Sequence, residues 1–172
     1  KEVYIGIYDP NPLVKGKGIA MLKEAGIDVH YGFLEEKIRT QLECYLCYIQ
    51  KERPFVTLKT ALTLDGKYAA EDGTAHWITG KKAREYAHQL RSENDVVLTG
   101  IRTILFDDAR LNVRLPGNYK QPLRVVLDPY LKIPVLSYFV SISAKFPGMV
   151  ITSPDNLQTD KADILRQKGV KI

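Results

Sequence analysis

Short apolar strands alternating with amphipathic helical stretches predict an α/β protein with a mostly parallel sheet and helices on both faces. Three observations carry this. Compact apolar runs recur, as at Val3-Tyr4-Ile5-Gly6-Ile7 and Leu123-Arg124-Val125-Val126-Leu127. Apolar residues at helical spacing lie between them, and Gly, Pro and Asn/Asp clusters punctuate the joins.

The first strand, 3–7, is closed by Asp9-Pro10-Asn11-Pro12, whose prolines and short polar side chains favour a rigid turn. A helix follows through Ile19 and Leu22, and Gly26 is a natural stop before a second strand over 27–31. The spacing of Leu34, Ile38, Leu42, Tyr45, Leu46 and Ile49 predicts one helix over 34–49. Lys51-Glu52-Arg53-Pro54 breaks the pattern, because proline disfavours helix at the residue before it, and the domain boundary is placed there, giving 1–52 and 53–172. The run 55–64 alternates as a strand would and ends at Asp65-Gly66, a common turn pair. Thr79 is a candidate N-cap for a helix to about residue 93 with Ala83, Tyr86, Ala87 and Leu90 on one side. A strand at 95–100, a short helix at 101–106, strands at 123–127, 149–152 and 170–172, and a helix at 159–169 complete the order.

The bulk properties bound the function. No apolar run approaches the ~18 residues of a membrane span, and the amino terminus has no stretch resembling a signal peptide, so a cytoplasmic protein without a membrane partner is expected. Cys44 and Cys47 are too few for a disulfide framework and are expected reduced. Residues 1–52 hold seven Lys/Arg against eight Asp/Glu, and the remainder holds eighteen against twelve, so an excess of +6 belongs to the second part. Such a balance favours anionic partners such as phosphorylated metabolites. Nucleic acid is not expected, because aromatics are not interleaved with the basic residues in any stripe. The sequence is compatible with a homo-oligomer.

Several segments, in order, resemble the bifunctional deaminase/reductase family of riboflavin biosynthesis. They are Arg53-Pro54-Phe55-Val56, Lys59 with Ala61, Leu64-Asp65-Gly66-Lys67, Trp77-Ile78-Thr79, Leu90-Arg91, Leu98 with Gly100, Asp107-Asp108 with Leu111, Val113-Arg114, and Arg124-Val125-Val126-Leu127-Asp128. Upstream, Asp9-Pro10-Asn11-Pro12 and Ala25-Gly26-Ile27 resemble the end of that family's deaminase domain. The resemblance implies a dihydrofolate-reductase-like reductase domain over 53–172, preceded in 1–52 by the tail of a cytidine-deaminase-like domain. It also implies NADPH-dependent reduction of the ribosyl side chain of a phosphorylated aminopyrimidine, 5-amino-6-(5-phosphoribosylamino)uracil, to a ribityl chain. The full-length protein would also deaminate the preceding pyrimidine.

By the same resemblance, Ala61, Trp77, Thr103 and Asp107 stand at NADPH-contacting positions, and Ala75, Arg91, Leu111 and Arg114 at substrate-contacting ones. Lys59 stands near the substrate ribose as the candidate catalytic residue. These types suit the tasks: a small residue permits close approach, an indole packs broadly, and a guanidinium fork matches a phosphate. Each also has a plain structural alternative, as a packed tryptophan, a helix cap, a solvated arginine or a strand lysine facing water. Two departures stand out. Ala75 replaces a serine, removing one hydrogen bond of ~0.5–1.5 kcal/mol unless Thr74 or His76 supplies it. Ala109 replaces a proline in the turn after the two aspartates.

The family's Gly-rich, phosphate-cradling stretch would fall after Ile172. The His-x-Glu and Pro-Cys-x-x-Cys zinc signature is not in 1–52; Cys44-x-x-Cys47 lacks the proline and follows the Asp9-Pro10 turn, so no metal ligand is assigned. Zinc is expected only in the part of the deaminase domain outside this sequence. His76 and His88 read as surface or pocket-rim residues. The alternative from another class is a non-catalytic binding or scaffold module that keeps the fold.

Overall fold

The computed structural model describes residues 1–71 and 78–172 and divides the chain into two compact units, Lys1–Leu58 and Lys59–Ile172. In the first, strands β1 (Glu2–Ile5) and β2 (Asp28–Tyr31) pair in parallel with Val3 beside Val29. The crossover between them carries α1 (Lys17–Glu24). The Asp9-Pro10-Asn11-Pro12 turn closes on its own side chains: Asp9 Oδ1 accepts from the Asn11 N–H at 2.9 Å, and Asn11 Oδ1 from the Leu13 N–H at 3.0 Å. Gly26, with φ +71°, ends the turn after α1 in the left-handed conformation expected of a helix stop. The helix expected over 34–49 forms as two, α2 (Glu35–Gln41) and α3 (Glu43–Lys51). Leu42 leaves helical geometry at φ −100° and ψ 14° and divides them; of the expected apolar stripe Leu46 is buried, whereas Leu34, Leu42 and Tyr45 are exposed.

The second unit holds α4 (Lys81–Glu93) and a four-stranded sheet. Its elements run β3 (Val96–Gly100), α5 (Ile101–Asp107), β4 (Leu123–Leu127), α6 (Tyr138–Ser141), β5 (Gly148–Ile151), α7 (Asp160–Gln167) and β6 (Val170–Lys171). The strands lie in sequence order and every pair is parallel, as strands joined by helical crossovers require. Because side chains alternate along a strand, Val126, Val150 and Val170 share a face, and on it pack Ile104 of α5, Phe139 and Val140 of α6, and Ala162 and Leu165 of α7. The parallel α/β reading stands, with the described core concentrated on this face. Val96, Leu98, Leu127 and Ile151, which point the other way, are each 40–56% exposed. Helix α7 is capped by Thr159, whose Oγ1 accepts from the Ala162 N–H.

Three expectations change. The run 55–64 forms no ladder among the described residues, and Leu58 is 86% exposed. Alternation is a property of one chain, whereas a strand needs a neighbour to take its hydrogen bonds. Thr79 does not cap α4: the N-cap is Gly80 with no side-chain bond, and the Thr79 carbonyl instead accepts from Arg84 Nη1 at 2.7 Å. Helix α6 went unforeseen, because four residues are too few to show a period.

Arg124 is wholly buried on the core face of β4. Its Nη1 donates to the carbonyls of Arg110 at 3.1 Å and Phe139 at 3.0 Å, and Nη2 donates to Ser143 Oγ at 3.0 Å and to the Phe146 carbonyl. Burial lowers its pKa to about 10, which leaves it charged at neutral pH. Gly148 makes the space: a Cβ there would lie 2.8 Å from Ser143 Oγ and 3.1 Å from Arg124 Nη2. Replacing Arg124 by Leu should cost about 3–5 kcal/mol, since four acceptors lose their donor inside the core. Gly148→Ala should also destabilise, through the same displacement. Urea unfolding midpoints check both, and a midpoint within error of wild type for either would contradict this account.

Candidate functional site

An open cleft of about 360 Å³ lies in the second unit, with Lys59, Ala61, His88, Arg91, Asp107 and Arg114 on its walls. Lys59 and Ala61 stand two apart on extended chain, so both face the same side. From α4 come Arg84, Ala87, His88 and Arg91, spaced i, i+3, i+4 and i+7, which aligns them along one face of the helix. Asp107 ends α5.

The two aspartates after α5 divide their work. Asp107 lines the cleft, whereas Asp108, at φ 43°, turns away and accepts the Tyr138 N–H at 2.8 Å, capping α6. Three residues on, Leu111 is also left-handed, at φ 60°, a conformation that costs a leucine roughly 1–2 kcal/mol; its side chain is buried in the core, which offsets the strain. This kink sets Asn112 behind the two arginines. Its carbonyl accepts from Arg91 Nη1 at 3.4 Å and its Oδ1 from Arg114 Nη1 at 3.1 Å. Gln121 clamps the next residue at both ends, accepting the Val113 N–H at 2.9 Å and donating to the Val113 carbonyl at 3.2 Å.

The result is a cationic wall. Burial lowers the pKa of Arg91, with the Arg114 charge adding to it, and burial followed by the Arg110 charge lowers that of Arg114. Neither guanidinium is paired with a carboxylate among the described residues. His88 meets the main chain of one and the side chain of the other: its Nδ1 lies 3.4 Å from the Arg114 backbone N and 3.5 Å from Arg91 Nη1. Burial first, then the charges of Arg91 and Arg114, push its pKa from 6.5 down to about 4, so it is neutral at pH 7.

The cleft thus gathers five of the residues singled out from sequence: Lys59, Ala61, Arg91, Asp107 and Arg114. Thr103 and Leu111 are not on its walls. Thr103 Oγ1 accepts from Thr99 Oγ1 at 2.9 Å, tying α5 to β3, and Leu111 belongs to the core. Ala75 and Trp77, with Thr74 and His76, lie outside the described residues. Sequence reasoning passed over Arg84, Asn112 and Gln121 and left His88 at the pocket rim. The spacing of Arg84, His88 and Arg91 was a signal for the first and the last; nothing local marks Gln121.

Residues 54–167 match the family model described as the RibD C-terminal domain. Over all 172 residues the chain is 45% identical to riboflavin biosynthesis protein RibD of Aquifex aeolicus (strain VF5), covering 47% of that protein. It is 40% identical to RibD of Bacillus amyloliquefaciens, covering 46%. Among solved structures it is similar to a diaminohydroxyphosphoribosylaminopyrimidine deaminase/5-amino-6-(5-phosphoribosylamino)uracil reductase from Thermotoga maritima, with TM-score 0.79 and 32% identity over 99% of this chain and 53% of that one. It is equally similar to Acinetobacter baumannii RibD, with TM-score 0.79 and 34% identity over 99% of this chain and 47% of that one. The chain spans about half the length of the relatives it matches.

The His88 shift has a pH consequence. Between pH 6.5 and about 4 the unfolded chain binds a proton at this imidazole that the folded chain refuses, so folding stability falls as the pH drops through that window and is unaffected above it. The non-titrating His88→Gln variant should lose less stability than wild type between those limits. Urea midpoints across the pH range measure the difference, and parallel profiles would count against the shift.

Proposed function

We propose, from the premise that this chain belongs to the RibD family, that the cleft of residues 59–114 is part of an NADPH-dependent reductase site of riboflavin biosynthesis. Residues 53–172 are then the first part of the reductase domain, and 1–52 the end of a deaminase domain. The observation that carries the reading is the convergence of Lys59, Ala61 and Asp107 with the Arg91–Arg114 pair in one cleft. The substrate is 5-amino-6-(5-phosphoribosylamino)uracil, the molecule for which the reductase of Thermotoga maritima is named. The full-length protein also deaminates the preceding pyrimidine, using zinc held outside this sequence.

The residues present suit both ligands. Two guanidinium groups that pair with no carboxylate among the described residues answer the phosphate of the substrate by charge-assisted hydrogen bonds, each stronger than a neutral one. Ala61 presents only a methyl, leaving room for a planar ring, and the Asp107 carboxylate accepts from an amide or hydroxyl. Trp77 and Thr103 remain assigned to the cofactor, and Ala75 and Leu111 to the substrate. NADPH, when bound, supplies the hydride. The chain's task is placement: the arginines fix one end of the substrate, so that the ribosyl carbon is held in one position and the bimolecular encounter becomes a local one. Lys59 donates a hydrogen bond from Nζ to the ribosyl oxygen that becomes a hydroxyl when the ring opens. Cys44 and Cys47 are free thiols, which accords with a reducing cytoplasm. No helix among the described residues is long and apolar enough to cross a membrane.

The test is turnover of the full-length enzyme, followed by loss of NADPH absorbance. Arg114→Met should raise KM for the phosphorylated substrate about 10- to 100-fold with NADPH affinity unchanged, as for a lost charge-assisted contact. Unchanged KM would remove the phosphate role. Lys59→Met should instead lower kcat, and a variant that retains full kcat would take Lys59 out of the reaction.

A further inference from the structure

Arg91 and Arg114 come from parts of the fold far apart in sequence, and something must hold two like charges side by side before an anion arrives. Three groups do so: the Asn112 carbonyl, Asn112 Oδ1 and His88 Nδ1. The first two are a main-chain oxygen and a primary amide, neutral at every pH of interest. Of the three, His88 alone is titratable, and like Asn112 it reaches both arginines, taking the backbone N–H of Arg114 and facing the guanidinium of Arg91.

Building on the phosphate reading above, we propose that His88 is a positioning residue of the anion site, a neutral acceptor that sets Arg91 and Arg114 without quenching their charge. Its chemistry follows from its neighbours. A backbone N–H and a guanidinium are donors only, so the Nδ1 between them must present its lone pair, and the ring proton must sit on Nε2. A carboxylate at this place would orient the arginines equally well, but it would also neutralise them and compete with the incoming phosphate. An imidazolium would add a third positive charge and lose the acceptor. Burial first, and then the charges of the two arginines, outweigh the opposing pull of the Asn112 backbone and hold His88 in its neutral form, the one state that serves the cluster. The other charged groups on the cleft, Lys59, Arg84 and Asp107, leave the wall net positive.

The role is specific to the acceptor and not to the bulk of the ring. In the full-length enzyme, His88→Leu should raise KM for the phosphorylated substrate about tenfold while kcat changes less than about twofold. His88→Asn, whose Oδ1 takes the place of Nδ1, should recover most of that loss. His88→Asp, which keeps an acceptor but brings a negative charge, should not. An unchanged KM in His88→Leu, or a wild-type KM in His88→Asp, would overturn the inference. Independently of any variant, nitrogen NMR of the histidine rings in the wild-type enzyme at neutral pH should show His88 with Nδ1 bare and Nε2 protonated; the opposite tautomer or the imidazolium would overturn it as well. If Arg91→Met and Arg114→Met both keep wild-type KM, the phosphate reading falls and takes the inference with it. If they lose affinity and His88→Leu does not, only the role of His88 falls.

Discussion

Arg124 brings a full positive charge into the second position of the otherwise apolar strand β4, and much of the second unit is arranged to receive it. Four acceptors from two separate stretches, Arg110 and 139–146, turn inward to its guanidinium, and the Phe139 ring lies 4.4 Å from its central carbon. Its Nε finds no acceptor among the described residues, so the hydrogen bonding is carried by the two terminal nitrogens. A buried cation is stable only where such acceptors are already in place, and the four bonds therefore hold their owners as much as the owners hold the arginine. Ser143 Oγ extends the arrangement by donating to the Phe139 carbonyl at 2.8 Å, and the missing side chain at Gly148 lets the whole group approach β5.

Four residues on, just past the end of β4, Asp128 is likewise buried and accepts the N–H groups of Lys132 at 2.8 Å and Ile133 at 2.7 Å. It shapes the chain where β4 ends and allows Leu131, at φ 50°, to sit left-handed with its side chain in the core. The polar residues at either end of β4 thus act on the connections, while Val126 between them supplies the apolar contact. The strand contributes order to the loops as well as area to the core.

From Arg124 the constraint reaches the cleft through the Arg110 carbonyl, which precedes the stretch carrying Leu111, Asn112 and Arg114. One end of that stretch is tied to the buried guanidinium, and the other is clamped by Gln121 at Val113. Leu111 is driven into the core, and Asn112 is turned against both arginines. Loops that carry binding groups are ordinarily the more mobile part of a fold. Here a loop is fastened on either side of Asn112, the residue that meets both arginines, so that Arg114, next after the clamp at Val113, is placed by the same interactions that stabilise the sheet.

The order of strands and helices, and much of the candidate site, were legible in the residues themselves. Apolar runs such as Val125-Val126 and the helical spacing around Ile104 and Leu165 record local geometry, because the period of burial is written into neighbouring positions. Resemblance then pointed to Lys59, Ala61, Arg91, Asp107 and Arg114, which meet in one cleft. Burial of Arg124, the clamp by Gln121 and the bridge at His88 were not legible, since each joins residues 8 to 26 positions apart whose identities carry no period and no motif. The same limit explains the run 55–64, whose alternation describes an extended chain but names no partner strand. Sequence by itself determined what each segment prefers to be and which chemical groups are present. Only the tertiary structure decided which of those groups touch, because pairing, burial and charge coupling are properties of two places in the chain at once.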